Sequence, residues 1–252
     1  MTHLWITGAS QGIGRAVALA AAQRGWTVSA TARGTEGLAA LVAEGGGRIS
    51  TFPGDITDRA GLAAVVDAVE AAQGPITVAV LNAGTHQPTD GAAFDPSVYD
   101  RLIGVNLGGA INSVAAILPR FTARKSGRVA LVSSVAAYRG LPKAGAYCAS
   151  KAAVTALAES LRLDLAGVGV RVQVIHPGFV RTPLTDQNEF PMPFLMTPEA
   201  AAARILAGLE GDGFEIAFPR RFVFILKLLR LLPYWLYFAL VARQTGVSTR
   251  QS

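Results

Sequence analysis

The feature that most constrains the fold is a regular alternation of two kinds of segment. Short apolar runs recur at residues 4–6, 27–31, 48–52, 78–81, 127–132 and 171–175. Between them lie stretches of helical character at 14–23, 37–43, 59–73, 99–118 and 146–165, several of them rich in Ala, Val and Leu. The short runs are apolar on both sides, as expected of strands covered on both faces. Strands alternating with helices in this order predict an α/β fold, a doubly wound parallel sheet with helices on both faces. No repeat and no linker interrupts the pattern. One domain is therefore expected over residues 1–218, followed by an apolar, basic extension over 219–252.

Composition narrows the function classes. Of the 252 residues, 51% are hydrophobic and 16% charged, enough to build a core and too apolar for wholesale disorder. Cys148 is the only cysteine, so no internal disulfide forms, which fits a reducing compartment. The opening Met-Thr-His-Leu-Trp-Ile-Thr-Gly lacks a basic n-region. No signal peptide and a cytoplasmic location are expected. The formal charge of +6 sits entirely in the extension, where Arg220, Arg221, Lys227, Arg230, Arg243 and Arg250 meet no acidic residue. A neutral body with a greasy basic tail argues against nucleic acid as a partner. It suits an anionic membrane surface better. His3, His86 and His176 are scattered, so no metal site is expected.

Between the first strand and the first helix stands Thr7-Gly8-Ala9-Ser10-Gln11-Gly12-Ile13-Gly14. Glycines at this turn let the backbone approach a pyrophosphate at the helix N-terminus, as in Rossmann-type dinucleotide sites. Thr-Gly-x3-Gly-x-Gly resembles the cofactor motif of the short-chain dehydrogenase/reductase family, and further motifs follow in register. They are Gly54-Asp55-Ile56-Thr57, Asn82-Ala83-Gly84 (with Leu81 where the family more often has Asn), Val105-Asn106-Leu107, Ser134, Tyr147-x3-Lys151, and Pro177-Gly178 followed by Val180 and Thr182. The likeness covers roughly residues 3–218. It implies a sheet of about seven strands and a catalytic set of Asn106, Ser134, Tyr147 and Lys151. It further implies that Asp55 contacts the adenine, Lys151 the nicotinamide ribose and Thr182 the nicotinamide amide. Asn106 is implied to hold a water of a proton relay, and the family pattern implies a homo-oligomer, a dimer or tetramer.

Elementary chemistry leads to the same residues. Tyr147 and Lys151 lie four apart on one helix face. A neighbouring ammonium is expected to lower the phenol pKa from about 10. Tyr147 then exchanges a proton with a carbonyl or alcohol oxygen while hydride moves to or from a nicotinamide. Ser134, 13 residues earlier, can donate to the same oxygen. At the end of the second strand an acid would bind a ribose 2′-hydroxyl. This chain has Ala32 and then Arg33, and a guanidinium pairs with a 2′-phosphate. NADP(H) is the expected cofactor, with NAD the alternative because Glu36 is near. Reduction of an apolar ketone or aldehyde is expected. An NAD-dependent alcohol dehydrogenase and a non-catalytic, membrane-associated nucleotide-binding protein are the alternatives.

The loop 183–198 resembles the family's lid over the substrate and carries Leu184, Phe190, Met192, Phe194, Leu195 and Met196, which suggests an apolar substrate. In the tail, Lys227, Arg230, Tyr234 and Tyr237 fall on one polar stripe, and Trp235 with the tyrosines suits a headgroup region. The longest uncharged run there is 12 residues, too short to span a bilayer. Two roles stay open for the tail. It lies on the inner face of the membrane, or it packs on a second subunit or roofs the substrate pocket.

Overall fold

A computed structural model describes residues 1–186 and 192–245. Its strands are β1 (His3–Thr7), β2 (Thr27–Thr31), β3 (Ile49–Thr51), β4 (Val78–Leu81), β5 (Gly127–Val132), β6 (Val170–Pro177) and β7 (Glu215–Phe218). All pair in parallel in the order β3-β2-β1-β4-β5-β6-β7. The order reverses between β1 and β4, and that switch point opens a crevice beyond the strand ends.

Successive side chains of a strand point to opposite faces. In β1, Leu4 and Ile6 therefore join Val17, Ala21, Ile205 and Leu206 of helices α1 (Gly12–Gln23) and α7 (Pro198–Glu210). Trp5 faces the other way and packs with Val66 of α3 (Arg59–Gln73) and Ile117 and Phe121 of α5 (Gly109–Arg124). The remaining helices are α2 (Thr35–Glu44), α4 (Pro96–Ile103), α6 (Gly145–Asp164), α8 (Arg220–Leu231) and α9 (Tyr234–Thr245). Local signals set several boundaries. Asp58 caps α3 through the Gly61 N–H at 3.0 Å, and Asp95 followed by Pro96 starts α4.

The sequence predicts one helix across 99–118, whereas the structure has α4, a π-helical turn at Gly104–Gly108, and α5. The widened turn places Asn106 inward, and such turns concentrate at functional sites. Close packing reinforces it, since a Cβ on Gly109 would lie 2.2 Å from Ile56 Cδ1. Helix α7 and strand β7 occupy a stretch the sequence reading left unassigned. The run Pro96–Arg124 has the length and apolarity of a membrane span, but Leu102, Ile117 and Phe121 within it are fully buried in the protein core.

Candidate active site

Almost every residue singled out from the sequence lies beyond the carboxyl end of a strand, along one edge of the sheet. Gly8, Ser10, Gln11, Gly12, Ile13 and Gly14 follow β1, Arg33 follows β2, and Asp55 and Ile56 follow β3. Asn82, Ala83 and Gly84 follow β4, Ser134 follows β5, and Gly178, Val180 and Thr182 follow Pro177 at the end of β6. Asn106 comes from the π turn, and Tyr147 and Lys151 from α6.

The glycine turn is shaped by contact with β4. Asn82 Nδ2 donates to the Thr7 and Gly8 carbonyls at 3.0 and 3.2 Å, and the Ala83 N–H donates to Thr7 Oγ1 at 3.1 Å. A Cβ on Gly8 would stand 2.7 Å from Ala83 Cα, and one on Gly14 only 2.3 Å from the Gly8 carbonyl. Gly8 and Gly12 have φ of +68° and +58°, a region glycine enters freely. Gly12 also faces Thr182, whose Cγ2 would lie 3.0 Å from an added Cβ. Helix α1 starts here with no side-chain cap on its first N–H groups and no acid in its first turn. This concave, glycine-lined helix start fits a dinucleotide pyrophosphate. At the far end Arg33, largely exposed, stands 3.8 Å from Asp55 Oδ2. The Thr57 N–H donates to the other Asp55 oxygen at 2.9 Å. That bond is the main reason the Asp55 pKa lies below its ordinary value.

Ser134, Tyr147 and Lys151 converge at the mouth of the crevice. Ser134 acts to lower the Tyr147 pKa, but burial outweighs it and pushes the pKa up to about 12, so the expected lowering by the neighbouring ammonium is not what this geometry gives. The reason is the lysine's position. Lys151 Nζ donates to the Val132 carbonyl at 2.9 Å and sits 5.8 Å from the centre of the tyrosine ring. Its own pKa falls to about 8 because it is buried. Asn106 is also buried, and both its amide hydrogens are taken, by the Thr85 carbonyl and Ser150 Oγ, each at 3.0 Å. Its Oδ1 accepts from the Thr85 N–H at 2.7 Å. The side chain thus fastens the β4 turn to α6. A Cβ on Gly84 would come within 3.1 Å of Asn106 Oδ1 and 3.3 Å of Lys151 Nζ.

Sequence reasoning missed two features. The His86 ring meets Tyr147 edge-on at 4.8 Å, and its buried Nδ1 has no hydrogen-bond partner among the described residues. Burial lowers its pKa. The second is a polar chain behind the site. Ser133 Oγ donates to the Lys151 carbonyl at 2.7 Å and meets Thr155 Oγ1 at 2.9 Å. Thr155 in turn meets His176 Nε2 at 3.0 Å, and His176 Nδ1 lies 2.9 Å from Glu215. Glu215 also accepts from Tyr138 at 2.6 Å and pairs with Lys227 of α8. These donors, His176 first, bring its pKa down to about 2. Only the distances on the folded chain reveal that these residues form one chain of contacts.

Of the tail's polar stripe, Lys227 and Tyr237 face the body. The Tyr237 hydroxyl donates to the Gly140 carbonyl at 2.6 Å, and Arg139 lies over the rings of Tyr234 and Tyr237 at 4.6 and 4.0 Å. Arg139 also reaches the carbonyls of Leu229, Arg230 and Leu232 near the end of α8 at 2.9, 3.2 and 2.8 Å, where a cation suits the helix terminus. Met196 of the 183–198 loop forms a backbone bridge to Val180, and Phe194 and Leu195 of that loop are exposed. Phe190 of that loop and Arg250 of the tail lie outside the described residues.

The sequence pattern of the family described as short chain dehydrogenase matches residues 2–191. The chain belongs to that family. Among relatives of this short-chain dehydrogenase, an uncharacterised oxidoreductase from Myxococcus xanthus is 37% identical over 241 residues, 94% of this chain and 95% of the relative. The 3-oxoacyl-(acyl-carrier-protein) reductase FabG of Thermotoga maritima is 35% identical over 215 residues, 84% and 85% of the two chains. A short-chain dehydrogenase structure from Streptomyces avermitilis superposes with a TM-score of 0.84 at 27% identity, covering 100% of both chains. An actinorhodin polyketide ketoreductase with NADPH gives 0.78 at 26% identity over 86% of this chain and 95% of that one. The chain is thus an oxidoreductase of this family, of the kind that acts on CH–OH groups with NAD(P), and the fold is a single Rossmann-type domain.

Proposed function

We propose that this short-chain dehydrogenase reduces an apolar ketone or aldehyde with NADPH. One observation carries the reading. Ser134 after β5 and Tyr147 and Lys151 of α6 lie together beside the glycine-lined crevice, with the Lys151 ammonium 5.8 Å from the centre of the Tyr147 ring and anchored at the Val132 carbonyl.

Gly8, Gly12, Gly14, Asn82 and Thr182 would hold the cofactor's pyrophosphate and nicotinamide end, and Arg33 a 2′-phosphate at the other. NADPH, when bound, supplies the hydride to the carbonyl carbon. Tyr147 donates its hydroxyl proton to the carbonyl oxygen as charge builds there. Ser134 donates a hydrogen bond to the same oxygen. Lys151, 5.8 Å from the ring centre, stabilises the phenolate that Tyr147 becomes, and a proton from water restores the hydroxyl. Arg33, with Ala32 in place of an acid at the strand end, supports NADP over NAD. The finer placement belongs to the same reading: a cytoplasmic homo-oligomer.

The test is NADPH oxidation measured against a panel of medium-chain ketones and aldehydes, with wild type and Tyr147→Phe side by side. Turnover that drops at least about a hundredfold in the variant supports the reading. Unchanged turnover would overturn it.

A further inference from the structure

Helices α8 and α9 are amphipathic in the opposite sense from a soluble surface pair. Val223 and Tyr237 are buried against the body, with Leu226 and Leu229 beside them around a small cavity under the Val135–Leu141 loop. The outward side of α8 carries Phe224, Ile225, Leu228 and Leu231, exposed at 64, 45, 49 and 80%. Helix α9 adds Trp235 at 73% and Phe238 at 55%. Large apolar groups clustered in this way mark a docking surface.

Charge selects the occupant. Among the described residues, Arg220, Arg221, Arg230 and Arg243 form no ion pair. No acid occurs anywhere in 219–252. Arg221 stands in line with Phe224, Leu228 and Leu231 on the same helix face. A second copy docking on this patch by a two-fold contact would set the same cations against each other. An anionic lipid surface complements both the charge and the apolar groups.

The patch is also continuous with the site. Position 178 touches the tail directly, since a Cβ there would lie 3.0 Å from Pro219 and 3.1 Å from the Phe222 ring. Phe222 stacks on Phe179 at 5.5 Å and meets Phe194 of the 183–198 loop at 5.9 Å. Ile225 follows Phe222 by one helical turn. An apolar track therefore runs from the exposed face of α8 to the turn after β6 that borders the crevice.

We propose that α8 and α9 rest on an anionic membrane through this outward face, and that the substrate is a long-chain carbonyl lipid passed from the leaflet along Ile225, Phe222 and Phe179. The substrate half rests on the carbonyl-reduction reading above; the docking half does not.

The experiment uses the full chain and the variant Leu228→Glu/Trp235→Glu, which alters only exposed positions and is checked by its near-UV circular dichroism. Both proteins are sedimented with phosphatidylcholine–phosphatidylglycerol vesicles and with phosphatidylcholine alone. Both are then assayed with NADPH on a long-chain methyl ketone carried in the anionic vesicles and on a short water-soluble ketone. Wild type should sediment with anionic vesicles, and the variant should stay in solution. The variant's kcat/KM on the vesicle-borne ketone should fall roughly tenfold or more, with the soluble ketone unaffected. A second variant, Arg220→Gln/Arg221→Gln, should require lower salt to bind. Wild type that stays off anionic vesicles overturns the docking half, as does a charge-removed variant that binds identically. A patch variant that merely turns a dimer into a monomer assigns the face to a second copy and overturns it too. Equal activity of wild type and patch variant on the vesicle-borne ketone overturns the route. If wild type reduces neither ketone, the reduction reading fails with the substrate half, and sedimentation alone still decides the docking.

Discussion

The Tyr237 hydroxyl of α9 donates a 2.6 Å hydrogen bond to the Gly140 carbonyl, so the tail holds the loop that begins at Ser134. Tyr237→Phe removes that bond and leaves a carbonyl without its partner. A stability loss of about 1 kcal/mol is expected, read from denaturant midpoints. The kcat for carbonyl reduction should fall while NADPH affinity holds, because the loop carries Ser134 and not the glycine turn. Truncating the tail would disturb the same loop, so point variants separate its roles better.

Arg33→Ala should weaken NADPH binding about tenfold or more and leave NADH binding nearly unchanged, since a guanidinium–phosphate pair is lost with nothing to replace it. Fluorescence titration of the two reduced cofactors checks this. Equal weakening of both would mean that Arg33 acts only through Asp55, 3.8 Å away.

The pH dependence follows from Lys151. Its pKa in the fold, about 8, lies below the ordinary lysine value of 10.5 because of burial. As pH rises through about 8 the ammonium is lost, so kcat/KM for reduction should show an alkaline limb there. Stability moves the other way. Between about 8 and 10.5 the unfolded chain binds the extra proton, so this group's contribution to stability grows with pH. Tyr147, pushed up to about 12, opposes it only above pH 10 or so. Activity that declines near pH 8 while the Tm contribution of Lys151 (wild type against Lys151→Met) improves would match both signs. An activity limb displaced to above pH 10 would contradict this assignment.

His86→Leu should change substrate KM more than kcat and barely alter stability, because the variant removes a buried nitrogen that has no partner among the described residues. NADPH titration should be unaffected. A large loss of Tm would show that the ring is only a packing element against Tyr147.

The fold was legible because burial on both faces of a sheet writes itself as uniform apolar runs, and six of the seven strands could be placed. The seventh, Glu215–Phe218, is four residues long and opens on an acid, so no periodicity betrays it. The site residues were legible because a glycine turn and a Tyr-x3-Lys pair have local spacing. Asn106 was singled out, but not its π turn, beside which Gly109 packs closely on Ile56 across a long sequence separation. The polar chain through His176 and Glu215 joins residues 39 apart in sequence, and local spacing carries no trace of it. The tail's polarity was legible, but its direction was not. Arg139, which pulls the tyrosines inward, lies about 95 residues before them.

The Lys151 ammonium is oriented by the Val132 carbonyl at the end of β5. A main-chain oxygen persists whatever side chain stands at position 132. The charge that serves Tyr147 is therefore insulated from point substitution at its own anchor. Only a change that slips β5 against β4 or β6 would displace it, and such a slip would scramble the core long before it touched the chemistry.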